Sequence, residues 1–303
     1  MELLNGRAFR PDTIDPGKPM RERFGSGSGF GSGFGFEFKK NRPVAAFSFS
    51  PERIKAVTIT YGKEGVSLSA PRFAKNDPQS AEFVARYARD ARATEAAALV
   101  SYGWLAEKQD TAFRGPDEER NFLLRENPRE LMQRSPDAGV AYALVSHPRR
   151  NQSVLFNYTR TALARAIEPL TQTSLAVCRV QPGCYSLFNY IVSGRFDEVF
   201  PGNDLLVVDD CGIFLVMEQD GDWQEIAFKS SPSGNFSRLL PQMLARRPDA
   251  TKPLALATTL GPEFPDVKVQ ELNPDKKVKI QNLFPETMGN VALVPEFLAL
   301  ATD

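Results

Sequence analysis

The sequence offers few residues that could do chemistry, and most of them stand in short turns between apolar runs. Asp209 and Asp210 are adjacent and are followed by Cys211 and Gly212. Paired acids suggest a metal site, but neighbours on a strand point to opposite faces, and no third ligand stands close by. His147 is the single histidine, so a Ser-His-Asp triad could be built only around it. It lies beside Pro148 at the end of an apolar run and ahead of Arg149 and Arg150, which reads as a surface or loop position. The turn Ser48-Phe49-Ser50-Pro51 carries two hydroxyls and precedes Lys55. Arg149-Arg150 and Arg246-Arg247 are basic pairs without interleaved aromatics. They read as solvated ends of elements rather than as grips on nucleic acid.

Composition narrows the class. Lys plus Arg and Asp plus Glu both number 37, which leaves no global field to attract nucleic acid or an anionic membrane. Hydrophobic residues make up 42% and charged residues 24% of 303, the balance of a soluble globular protein long enough for two domains. No run reaches the roughly 20 apolar residues that span a bilayer, so direct membrane insertion is not expected. The first residues lack the basic head and apolar stretch of a secretory signal, and the expected compartment is the cytoplasm. Cys178, Cys184 and Cys211 form no CxxC pair; packing is their expected role, not a disulfide or structural zinc.

Residues 1–42 read as a flexible leader, because a coil of glycine and serine is costly to order. Within GSGSGFGSGFGFEF (25–38), Phe30, Phe34, Phe36 and Phe38 are apolar stickers and candidate partner-binding residues. Phe34, Phe36 and Phe38 alternate, so this segment could add as a strand to a sheet edge or to a partner.

From Pro43 the pattern turns globular. It predicts strands over VAAFSF, RIKAVTITYG and EGVSLSAPRF, then a helix over 79–93 and a strand over AAALVSYGWL. A helix beginning at PDEERNF is interrupted or restarted at Pro128 and gives way to a strand over GVAYALVSHP. Val154, Leu155, Tyr158, Ala162, Leu163, Ala166 and Ile167 recur with a period near 3.6, predicting a helix over 152–168. A strand (SLAVCRV) and a helical run (YSLFNYIV) follow. DLLVVDDCGIFLVMEQDGDWQEIAF predicts three strands joined by turns. After it come a helix over NFSRLLPQMLARR, bent or shortened at Pro241, a strand over PLALATTLG and a mostly helical tail, ETMGNVALVPEFLAL.

Two halves, near 43–193 and 204–303, each open with an apolar hairpin and continue through strands alternating with helices, which is an α/β architecture. The domain boundaries follow as a leader over 1–42, a first lobe over 43–200 and a second over 201–303. In this order of elements the chain resembles the actin-like ATPase superfamily, and within it the PilM-type pilus assembly proteins and the cytoplasmic domain of the type II secretion L protein. RIKAV sits where the superfamily has a lysine-bearing strand. ERNFLLRENPRELM and YALVSHPRRNQSVLFNYTRTALARAIEP resemble its acidic helix, central strand and following helix. LLVVDDCGIFLVMEQDG resembles its second phosphate turn. The resemblance implies duplicated actin-like (ribonuclease H-like) mixed sheets with flanking helices and inserted subdomains.

It also implies where a nucleotide would sit. Ser48 stands where the superfamily has an acid that holds waters around magnesium, and Ser50 where it has a glycine that lets backbone N–H groups approach phosphate. A serine hydroxyl carries no charge, and Ser50-Pro51 adds a side chain and removes a donor. Lys55 keeps the lysine. Asp209, Asp210 and Gly212 retain acid and glycine in the second turn, but Ile213 and Phe214 occupy the positions of small hydroxyl residues. Thr258, Thr259 and Gly261 stand where a double-glycine adenine loop is expected. Ser48, Ser50, Lys55, Asp209, Asp210, Gly212, Thr259 and Gly261 are therefore expected to line a vestigial nucleotide cleft, with no cofactor and no metal. The implied role is a non-catalytic scaffold of a type IV pilus or type II secretion-like assembly. It would bind short peptides of inner-membrane assembly proteins, and other copies of itself, at the cytoplasmic face. The alternative is an active ATPase or small-molecule kinase, which would need ATP and magnesium held by Asp209 or Asp210.

Overall fold

The computed structural model describes residues 42–62, 65–102, 104–110, 140–147, 150, 152–195, 202–209, 212–230, 236–258, 279–284 and 294–302. Strand β1 (Val44–Phe49) is buried at every position, as an apolar run covered on both faces must be. It pairs antiparallel with β2 (Arg53–Gly62) and parallel with β5 (Glu95–Val100). The outer neighbours are β3 (Gly65–Leu68) and β4 (Arg72–Lys75), both antiparallel to β2, and β9 (Ala176–Pro182), parallel to β5. Helix α1 (Ser80–Asp90) buries Val84, Tyr87 and Ala88 against this sheet.

The second sheet repeats the plan. β10 (Asp204–Asp209) is again buried throughout. It pairs antiparallel with β11 (Gly212–Gln219) and parallel with β13 (Leu254–Thr258). β12 (Asp222–Ser230) extends one side antiparallel and β14 (Ile280–Asn282) the other in parallel. The orders β3-β2-β1-β5-β9 and β12-β11-β10-β13-β14 are thus one topology used twice. The β11–β12 turn takes Asp220 and Gly221 to φ 55° and 85°, the paired positive angles of a two-residue hairpin whose twist matches its strands. Helix α5 (Phe236–Leu244) covers one face of this sheet with Leu240 and Met243, and contains Pro241.

A third, antiparallel sheet is inserted after β5. Its order is β6 (Trp104–Asp110), β8 (Gln152–Thr159), β7 (Val140–Ser146). Helices α2 (Arg160–Ala166) and α3 (Glu168–Thr171) return the chain to β9. Helix α4 (Gly183–Tyr190), running on into a π-helical turn (Ile191–Arg195), leads toward the second sheet. The closing helix α6 (Pro295–Thr302) comes back to the first sheet, where Phe297 and Leu300 pack on Val44, Ala46, Val57 and Ile59.

The helix expected over 152–168 is a strand and a short helix. Ser153, Val154, Leu155 and Phe156 are all buried, because β8 lies between β6 and β7 and is covered on both faces. A run without alternation imitates helical periodicity, while its β-branched and aromatic content favours a strand. AAALVSYGWL, read as a single strand, divides into β5 and β6, which belong to different sheets. His147, read as a surface or loop position, follows β7 outside regular structure but is buried, its ring centroid 4.7 Å from that of Trp223. The expected helix around Pro128, and the leader with Phe30, Phe34, Phe36 and Phe38, lie outside the described residues.

Candidate functional site

The first turn is closed by its own hydrogen bonds. The Ser50 N–H donates to the Arg53 carbonyl at 2.9 Å and its Oγ donates to the same oxygen at 3.0 Å. The Arg53 N–H donates back to Ser50 Oγ at 3.1 Å. Asn76 Nδ2 takes the Ser50 carbonyl at 2.6 Å. Turn donors that could meet a phosphate are thus engaged locally.

Ser48 and Lys55 are cross-strand partners in the β1–β2 register, and both are buried. On the same face as Val44, Ala46, Val57 and Ile59, they point toward α6. There Lys55 Nζ meets Glu296 Oε1 at 2.8 Å, with both side chains 1% exposed. Two further bonds fasten α6: Arg179 Nη1 donates to the Leu300 carbonyl at 3.1 Å, and the Tyr61 hydroxyl to that of Ala301 at 3.2 Å. Burial is the main cause that pushes the Tyr61 phenol above its ordinary range. Sequence reasoning marked Lys55 but not Glu296. An acid at the start of an otherwise apolar terminal helix, PEFLAL, was the available signal.

In the second turn, Asp209 and Gly212 are register partners. Asp209 is buried and sits against the start of α4: a Cβ on Gly183 would lie 3.1 Å from Asp209 Oδ2 and 3.8 Å from Ser101 Oγ. Helix amino termini favour a negative charge, and Asp209 stands at that of α4. The Ser101 hydroxyl is buried and meets no hydrogen-bond partner among the described residues. Ser101 N–H donates to the Phe49 carbonyl at 3.0 Å. Asp209 is thereby linked through Gly183 and Ser101 to the end of β1. Cys184, next to Gly183, is fully buried; desolvation first, and then the Asp209 charge, raise its pKa well above the ordinary thiol value and keep it protonated. Such a thiol is a poor nucleophile.

Gly212 has a packing reason to be glycine. A Cβ there would fall 2.4 Å from Phe228 Cε2 and 3.2 Å from the Lys229 carbonyl. Ile213 and Phe214 are buried in two different clusters. Phe214 belongs to an aromatic group shared by the second sheet, the inserted sheet and α4. Its ring lies 5.5 Å from Phe156 on β8 and 5.1 Å from Phe188 on α4, and Phe188 lies 5.1 Å from Trp223 on β12. The Trp223 backbone N–H donates to Gln152 Oε1 of β8 at 2.9 Å. Composition and periodicity gave no warning of this junction beyond the scarcity of tryptophan.

Asp210, Thr259 and Gly261 lie outside the described residues, and Thr258 ends β13, half-buried. Among the described residues no group of three His, Cys, Asp or Glu side chains could hold a metal ion, and no helix is long and apolar enough to cross a membrane.

No family model matches the chain, and no curated protein matches it in sequence. Solved structures do. One is a Bacteroides thetaiotaomicron protein with an actin-like ATPase fold and unknown function, 11% identical over 88% of this chain and 97% of that one, with a TM-score of 0.50. Another is the PilM–PilN type IV pilus biogenesis complex, 14% identical over 85% of this chain and 97% of that one, with a TM-score of 0.54. A third is the cytoplasmic domain of EpsL, an inner-membrane component of the Vibrio cholerae type II secretion system, 12% identical over 71% and 82%, with a TM-score of 0.43. With its doubled sheet plan and an insertion after β5, the chain has the fold of the actin-like ATPases.

Proposed function

We propose that this protein is a non-catalytic scaffold of a type IV pilus or type II secretion-like assembly, built on an actin-like fold whose nucleotide cleft is vestigial. The observation that carries the reading is the Lys55–Glu296 pair. The lysine that the superfamily directs at phosphate has its anion supplied by the protein, in a site closed to water. Exchanging Glu296 for a nucleotide phosphate would leave a buried carboxylate unpaired, at a cost of several kcal/mol. The closed Ser50 turn supports the same reading. The PilM–PilN complex supports the choice of partner class, since it joins this fold to a second pilus biogenesis protein. The partners are then short peptides of inner-membrane assembly proteins, and the protein works at the cytoplasmic face, held there by them.

Calorimetric titration with ATP and magnesium tests the reading. The expected result is no heat of binding at micromolar concentrations and no rise in melting temperature at millimolar nucleotide. Micromolar affinity, or turnover that disappears in Asp209→Asn, would establish the competing ATPase or small-molecule kinase, for which Asp209 is the acid still in place.

A further inference from the structure

The inserted sheet belongs to the first lobe along the chain but grips the second lobe in space. It leaves the first sheet at the end of β5 and returns through α2 and α3 into β9, so both covalent tethers are on that side. Polar ties run from it to the β11–β12 hairpin of the second sheet. Lys108 Nζ on β6 donates to the Gln224 carbonyl at 3.3 Å. Arg150, between β7 and β8, donates from Nη2 to the Asp220 carbonyl at 3.2 Å and pairs through Nε with Asp222 Oδ1 at 3.0 Å.

The ties form two layers. At the rim, the Arg150 and Asp222 side chains are 50% and 40% exposed, and such pairs contribute little on their own. Beneath them, His147, Phe156, Phe214 and Trp223 are buried. The His147 and Trp223 rings stand 4.7 Å apart and those of Phe156 and Phe214 5.5 Å apart. Gln152 Oε1 accepts the Trp223 backbone N–H. Position adds leverage. β12 is the edge strand two places from β10, about 10 Å away, and α4 abuts the second sheet at Asp209, the end of β10. A turn of about 15° around β10 would carry β12 roughly 2.5 Å, more than a hydrogen bond can stretch.

We infer that the inserted sheet is a strap between the lobes. Tethered to the first sheet by the chain and clasped to the second at β12, it fixes the angle between them. The lobes turn against each other only when β12 is released, and the buried layer supplies most of the hold. The strap is independent of the scaffold reading, since an active ATPase could carry it too.

Pulsed electron–electron distance measurement on the full chain, without nucleotide, tests it. Nitroxides carried by a non-natural amino acid replace Arg89 of α1 and Gln242 of α5, both exposed. One narrow distance distribution is expected for the strapped protein. Trp223→Leu, which removes the base of the clasp, is expected to widen it about twofold. Lys108→Ala/Arg150→Ala, which removes only the rim, is expected to widen it less. Should Trp223→Leu fail to fold, His147→Ala/Gln152→Ala takes away its partners from the inserted side and is read in its place. A distribution as narrow in the released variant as in the parent, or as broad in the parent as in the variant, would overturn the strap. ATP binding, measured separately, decides the scaffold reading and leaves this result standing.

Discussion

Lys55 and Glu296 are each 1% exposed and 2.8 Å apart, so neither charge can fall back on water. Truncating one partner strands the other. Lys55→Met or Glu296→Gln is expected to lower unfolding free energy by about 3–5 kcal/mol, whereas Lys55→Met/Glu296→Leu recovers most of that loss. Urea denaturation of the three variants measures it, and an additive double variant would contradict a coupled pair. Gly212 makes a second prediction at this scale. The Phe228 ring occupies the space of any Cβ there, so Gly212→Ala is expected to cost about 1–3 kcal/mol through overpacking. Combining it with Phe228→Leu, which shortens the obstructing side chain, reduces the penalty if the ring is its cause.

Among elements, the second sheet is tied at one end by charge. Arg247 Nε bonds Asp204 Oδ2 at 2.7 Å, and Lys252 Nζ reaches Glu218 at 2.8 Å and Asp204 at 3.2 Å. Burial opposes ionisation of Glu218, but hydrogen bonds from Lys252 and from the Gly221 and Gly202 N–H groups outweigh it and hold its pKa below the ordinary 4.5. A carboxyl lowered on folding stabilises the native state above its unfolded pKa, and that contribution is lost as pH falls through the folded value. Melting temperature is thus expected to drop with acidification below about pH 4.5, less steeply in Lys252→Met. Equal slopes would remove Lys252 from the linkage. The strands of this hairpin were readable because apolar runs and an Asp-Gly turn are local signals. So were β1, β2, α1 and the doubled order of elements. β8 was not, because its burial on both faces comes from sheets that sequence periodicity does not represent. Of the candidate site, the turns and Lys55 could be marked along the chain. Glu296, far away in sequence, becomes their partner only when α6 docks.

For the whole molecule, Trp223 is the test of how the sheets are joined. It is fully buried, touches the rings of His147 and Phe188, and donates its backbone N–H to Gln152 Oε1. Trp223→Ala is expected to cost about 3–5 kcal/mol, with loss of a single cooperative melting transition if the inserted sheet is released first. A transition that stays single at lowered temperature would show the insert holding without it.

The largest core cluster runs from Ala45 and Phe47 in the first sheet, through Phe156 and Phe188, to Leu205, Val207, Phe214 and Trp223 in the second sheet. Neither half of the chain owns that oil. Severing the polypeptide between α4 and β10 would leave each piece with a raw aromatic wound whose best dressing is the other piece. Co-expressed halves should therefore seek each other out and rebuild the native core, while either half made alone should aggregate.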